Sequence, residues 1–238
     1  MATALTHIAF VNDLKKNNSA VFKKLNINFV YSGALFPDYY GFYKIQLKKN
    51  YEIEKIIKNK NGIVFGKKML RIAQTKEERS FAVGFITHSV LDEFFHKYLR
   101  KINASIEEHL MLEFFYDCKF RKLKIPVVVY PTKLIENTLK KYYSEELYKK
   151  KDITKIKLFF YYLFLKEIQT QIIYKKYLDK KMSYIDIVSK LFYRGQFDLS
   201  KLLQPDLEFK KKHFKNLETA YVKALTKNQK ILNKLNVS

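Results

Sequence analysis

The sequence has a single cysteine, Cys118, so no intrachain disulfide can form, and the expectation is a reducing, cytoplasmic setting with Cys118 as a small buried apolar residue. Six glycines and four prolines in 238 residues leave few turn signals, which argues against a many-stranded fold and for helices joined by short polar connections. The most apolar run, Ile156 to Ile173, is interrupted by Lys157, Lys166 and Glu167, well short of the roughly 20 nearly uncharged residues a membrane-spanning helix requires. The N-terminal MATALTHIAFVNDLKKN has no basic stretch before its apolar residues and is broken by His7 and Asp13, so it does not read as a signal peptide. A Gly-rich phosphate loop, a G-x-S-x-G elbow and a CxxC pair are all missing. Nucleotide-binding, serine-hydrolase and zinc-finger readings therefore have no support.

What is present is apolar and basic. A hydrophobic content of 47% with 16% aromatics is ample for a core. The formal net charge is +23, from 46 basic and 23 acidic residues. It is uneven: residues 1–118 carry 18 basic and 12 acidic groups, residues 119–238 carry 28 and 11. Such an excess suits phosphate-bearing partners, nucleic acid or anionic lipid. It is also what AT-rich codon usage produces, since Lys, Asn, Ile, Phe and Tyr are abundant and Trp is absent.

Apolar periodicity predicts an all-α fold. Helices are expected at Thr6 to Leu14, Ser19 to Leu25, Tyr51 to Ile57, Lys76 to Lys101, about Ile106 to Tyr116, Lys133 to Tyr148, Asp152 to Leu178, Ser183 to Tyr193 and Leu207 to Leu235. The Gly, Pro and aromatics of Tyr31 to Tyr43 predict a packed loop, and Asn59 to Gly66 a turn-rich connection. Residues 121–131, RKLKIPVVVYP, are the only β-like stretch. The expected organisation is one multi-helix domain with a core over 1–130 and a basic helical half over 131–238 packed on it.

Chemistry concentrates in GFITHSVLDEFFHKYL, which places His88, Asp92 and His96 at i, i+4 and i+8 of one helix and hence on one face. The next helix repeats the spacing, with His109 and Glu113 four apart in EEHLMLEFF. Imidazole and carboxylate are zinc's ligand types, and donors one turn apart can converge on one ion. A lone H-x-x-x-D would read as a solvated stripe. Here Val90, Leu91, Phe94 and Phe95 flank the first motif and Leu110, Leu112, Phe114 and Phe115 the second, a setting in which unpaired charge is costly, and the paired motifs favour metal. His213, in KKKHFK, reads as a surface residue of a basic helix.

H-x-x-x-D-x-x-x-H followed by H-x-x-x-E resembles the zinc-dependent phospholipase C family, particularly its bacterial branch without secretion signals, which shares a fold with fungal single-strand-specific nucleases. Thr6-His7 resembles the family's first histidine ligand, and Gly33 to Tyr39, GALFPDY, its G-x-x-x-P-D aspartate motif. The likeness covers roughly residues 1–130. It implies an all-helical fold of that family's type and clustered zinc ions that activate water against a phosphodiester. It further implies His96, His109 and Glu113 at one metal, Asp38, His88 and Asp92 at a second, and His7 with Asp92 at a third. Asp38 is also implied as the catalytic base or water-orienting group.

The sequence departs from the family at two points. No histidine occurs from Tyr39 to Thr87, where the family has a further ligand and this chain reads Gly66-Lys67-Lys68-Met69-Leu70. The tryptophan that ligates at the N-terminus of secreted members is also missing. The resemblance therefore implies between one and three zinc ions and a substrate that is a phospholipid or related phosphoester, with anionic substrate or membrane surface held by the basic half. The alternative is a weakened or inactive member that binds nucleic acid or an anionic surface through residues 119–238, with Lys122, Lys124, Lys140, Lys141, Lys149 to Lys151 and Lys210 to Lys212 as contacts. Tyr142, Tyr143, Tyr148 and Phe209 would then stack bases or, as commonly, fill core.

Overall fold

The computed structural model describes residues 4–47, 61–105 and 207–235 continuously, and 108–109, 112–113, 116–117, 119–120, 122–124, 126, 131, 133–135 and 137–138 between them. The fold is all-α: among the described residues every regular element is a helix. These are α1 (Ala4–Asn17), α2 (Ser19–Lys23), α3 (Ile27–Leu47), α4 (Asn61–Ile72), α5 (Lys76–Lys101) and α6 (Leu207–Lys234). Helical residues between 108 and 117 form a further segment after α5. The helices expected at Tyr51 to Ile57, Asp152 to Leu178 and Ser183 to Tyr193 lie outside the described residues, as do parts of 121–131 and of Lys133 to Tyr148.

The central element is α5. Thr75 opens it with a capping box, its hydroxyl accepting from the Glu78 amide at 3.1 Å while the Glu78 carboxylate accepts from the Thr75 amide at 3.4 Å. Every residue from Ser80 to Asp92 is buried. A helix covered on all sides must have neighbours on all sides, and α3, α4, α6 and α1 supply them.

Two expectations are corrected. Tyr31 to Tyr43 is not a loop: it lies within α3, which runs through Pro37. Pro37 has no N–H for the Gly33 carbonyl, a loss helices tolerate only where packing compensates. The packing is unusually close. A Cβ on Gly33 would fall 2.0 Å from the Phe81 carbonyl oxygen, and one on Gly84 2.0 Å from that of Val30, so α3 and α5 cross backbone against backbone. Asn59 to Gly66 is not a turn from Asn61 onward, because α4 begins there. Its Phe65 and Met69 are buried with Phe36, Phe81 and Phe85, and that apolar face overrides the Asn-Gly turn signal.

A larger apolar cluster joins α1, α3 and α5 to α6 through Phe10, Leu14, Phe95, Tyr116, Leu217 and Tyr221. Polar contacts fix its register. The Tyr221 hydroxyl donates to Asp13 at 2.8 Å, that of Tyr116 to Glu218 at 2.9 Å, and Lys227 pairs with Glu93 at 2.7 Å. The exposed lysines of α6, at 211, 212, 215, 223, 230 and 234, fall within an arc of about 140° at 100° per residue, opposite the stripe of Leu217, Tyr221, Ala224, Asn228 and Leu232. Among the described residues no helix is long and apolar enough to cross a membrane.

Candidate metal centre

The Gly33–Gly84 crossing sets the first part of the site. One turn beyond Gly84, the Nδ1 of His88 lies 2.7 Å from the Ala34 carbonyl oxygen of α3. A carbonyl can only accept, so Nδ1 carries the hydrogen and Nε2 keeps its lone pair for the interior. Asp38, on the same helix as Ala34, then faces that nitrogen, with Oδ1 at 3.8 Å from His88 Nε2. From α1, His7 stacks on His88 with ring centroids 4.0 Å apart. Its Nε2 lies 3.4 Å from Asp38 and 3.6 Å from Asp92, while His88 Nε2 lies 3.2 Å from Asp92.

Four donors from three helices thus meet: His7, Asp38, His88 and Asp92. All are buried, from 0% exposed at His7 to 8% at Asp92. Neither ring nitrogen of His7 makes a hydrogen bond, although burial of a polar ring without partners is costly. Two atoms each bound to one tetrahedral zinc at about 2.0–2.2 Å stand roughly 3.3–3.6 Å apart, and the spacings here bracket that value. The residues present fit a metal ion.

A second group lies where the next helix returns alongside α5. Asn103, with a φ of 50°, turns the chain in the left-handed region that asparagine tolerates. Ser105 and Glu108 then cap the new helix reciprocally, Ser105 Oγ accepting from the Glu108 amide at 3.2 Å and the Glu108 carboxylate from the Ser105 amide at 2.8 Å. This turn brings His109 back to His96, with ring centroids 5.2 Å apart. Glu113 Oε1 lies 2.8 Å from His109 Nε2 and 3.8 Å from His96 Nε2. Glu113 is buried, whereas His96 and His109 keep side-chain exposures of 20% and 29%, so this group is open to one side.

Electrostatics favour the deprotonated form that a metal needs at His7, His96 and Asp92, and the opposite at His88. Burial, with His88 beside it, lowers His7 to about 4, and burial lowers His96 to about 4. Burial alone would raise the Asp92 carboxyl, but His88 and His96 hold it well below the usual carboxylate range. Asp92 also precedes His96 by one helical turn on α5, which sets it toward the second group. Burial works against charge on His88, but Asp92 and Asp38 outweigh it and raise that ring.

The structure brings His7, Asp38, His88 and Asp92 into one group and His96, His109 and Glu113 into the other. Within the first group His7, His88 and Asp92 have donor atoms mutually within 4.8 Å, and Asp38 stands against His7 and His88. Helix α4, which holds Gly66 to Leu70, has no His, Asp or Glu, and Met69 there is apolar core. His213 is corrected from surface to interior: it is 7% exposed, with Nδ1 2.5 Å from the Tyr98 hydroxyl. One contact escaped the sequence reading. The buried Asp117 carboxylate accepts from the Thr6 amide and hydroxyl, both at 2.6 Å, and from the Leu5 amide at 3.3 Å. The available signal was its place four residues after Glu113 and eight after His109, on the same helix face.

Helices gathered around a buried imidazole–carboxylate cluster define an all-α protein with the donor set of a metal site. The family profile described as Zinc dependent phospholipase C matches residues 3–179, and the chain belongs to that family, a group of phospholipase C-like hydrolases. Comparison with curated proteins and with solved structures finds no match.

Proposed function

We propose that the protein is a zinc-dependent phosphodiesterase acting on a phospholipid or related phosphoester. The observation that carries this reading is the convergence of donors from α1, α3, α5 and the following helix into two groups, one buried and one open to one side, at spacings a bound ion would bridge. His7, Asp38, His88 and Asp92 would hold one zinc, and His96, His109 and Glu113 another, with Asp92 between them. Zinc at such positions polarises phosphoryl oxygens and lowers the pKa of a bound water.

The chain's own residues supply the rest. Asp38, fixed by the α3–α5 crossing, orients the attacking water or takes its proton. His88 is locked in its Nδ1–H tautomer by Ala34. The partly exposed His96 and His109 mark the side from which substrate enters. Support for an anionic lipid substrate comes from an open groove of about 910 Å³ on α6, with Lys119, Lys211, Lys215 and Lys223 around Phe214 and Val222. Basic heads over apolar stems suit a headgroup surface.

The test is hydrolysis of phosphatidylcholine vesicles, an oligonucleotide and a generic phosphodiester by the purified protein with zinc. Activity abolished by a chelator and restored by zinc is expected, with the vesicle preferred. A zinc-loaded protein inert toward all three substrates would sink the enzymatic reading. Salt-sensitive binding of nucleic acid by that inert protein would instead favour a binding role.

A further inference from the structure

We infer that Asp117 is a positioning residue that fixes His7 in its metal-facing geometry and ties the two donor groups to one helix. The inference rests on the zinc reading above. Helix α1 is described from Ala4, and among the described residues the Leu5 and Thr6 amides of this first turn have no intrahelical acceptor. His7 sits in that turn, where a helix frays most readily. Asp117 closes it with three contacts, to the Leu5 amide, the Thr6 amide and the Thr6 hydroxyl. Carboxylate acceptors make stronger hydrogen bonds than neutral ones, and the helix dipole adds to them at this end. Asp117 is 1% exposed, so water does not compete for these bonds.

The geometry makes the clamp more than a helix cap. His109, Glu113 and Asp117 recur every four residues along one face. The helix that offers two donors to the open group therefore also anchors the turn that offers His7 to the buried group. Only the torsions of one helical residue separate the clamped Thr6 amide from the His7 side chain. Farther along, α1 is held independently, by the Asp13 contact of Tyr221 and the Asn12 contact of Tyr31. Losing Asp117 should release the first turn and leave the remainder of α1 docked.

The experiment uses the full chain and its Asp117→Asn, Asp117→Ala, Thr6→Val and His7→Ala variants. Amide hydrogen exchange of the metal-free proteins is measured first. Leu5 and Thr6 should exchange slowly in the parent and much faster in Asp117→Asn, with little change beyond Asp13. Zinc is then titrated calorimetrically. The equivalent weakened by His7→Ala should weaken roughly 10- to 100-fold in Asp117→Asn, the range for groups that orient a ligand, while the other equivalent is unchanged. Asp117→Asn added to His7→Ala should bring no further loss.

Unchanged exchange at Leu5 and Thr6, equal weakening of both equivalents, or full additivity with His7→Ala would each overturn the proposal. Should Asp117→Ala fail to fold, the isosteric Asp117→Asn and Thr6→Val carry the same comparison. A parent protein that takes up no zinc would overturn the zinc reading, and with it the ligand-positioning role. The exchange data would then still show separately whether the clamp on the first turn exists.

Discussion

Gly84 lies against Val30 so closely that a Cβ added to it would stand 2.0 Å from the Val30 carbonyl oxygen. That oxygen is backbone and cannot rotate away, so Gly84→Ala must push α3 from α5. Overpacking typically costs about 1–3 kcal/mol, and a backbone collision belongs at the upper end. For a chain of this length about 3 kcal/mol is a fall in Tm of roughly 6–12 °C. Because the same crossing brings Ala34 and Asp38 to His88, zinc affinity should fall as well. Thermal melts with and without zinc check both. An unchanged Tm would show that the helices are not in backbone contact.

Replacing His109 with Ala should remove one zinc equivalent and leave the other. His109 and Glu113 are a directly contacting pair at 2.8 Å, and His96 with Glu113 alone is a poor site. The control is His213→Ala. His213 is a buried histidine of α6 that contacts Tyr98, and its loss should cost about 1–3 kcal/mol of stability, as removal of one partner of a buried hydrogen bond does, without removing zinc. Metal analysis per chain separates the two variants, and loss of zinc in both would mean that the donor assignment is wrong.

How far the fold and site were legible depends on where each signal resides. Helix α5 and its donors were readable because apolar spacing and donor spacing agree within one segment, where His88, Asp92 and His96 share a face. Helix α3 was misread because Gly33, Pro37 and the surrounding rings are turn signals locally, whereas Gly33 serves a close approach to Phe81, 48 residues away (81 − 33). His213 was misread for a similar reason, its lysine neighbours pointing to solvent while Tyr98 encloses it from α5. Asp117 carried only its i+4 spacing from Glu113, and nothing local pointed to its partners Leu5 and Thr6, which lie more than 100 residues upstream. Contacts made across the fold are invisible to periodicity.

Asp38→Asn keeps the shape of the side chain and removes its charge. Zinc at His96, His109 and Glu113 should be retained, because Asp38 belongs to the other group. Phosphodiesterase turnover should fall by about 10² to 10⁴, the usual contribution of a positioned acid or base. Parallel zinc analysis and initial rates on a generic phosphodiester decide the matter. Full activity in a zinc-loaded Asp38→Asn protein would remove Asp38 from the chemistry.

The metal-free protein should lose stability as pH falls from about 6.5 to about 4. His7 and His96 are both lowered from 6.5 to about 4, so in that window the unfolded chain binds protons that the folded chain refuses. Stability then declines with falling pH. The groups facing His7 are His88, Asp38 and Asp92, and those facing His96 are Asp92, Glu113 and His109. Asp92 is held below its ordinary value, so its contribution is present above the unfolded carboxylate range and is lost only at more acid pH. His88 is raised, so its contribution is complete below 6.5 and is lost as pH rises through its folded value, outside the window. One pKa unit corresponds to about 1.4 kcal/mol, and the two lowered histidines together amount to on the order of several kcal/mol. Urea denaturation at pH 6.5, 5.5 and 4 should show this slope in the parent chain, and His7→Phe with His96→Gln should flatten it. A parent whose stability is level across the window would contradict the buried, neutral histidines on which the metal centre depends.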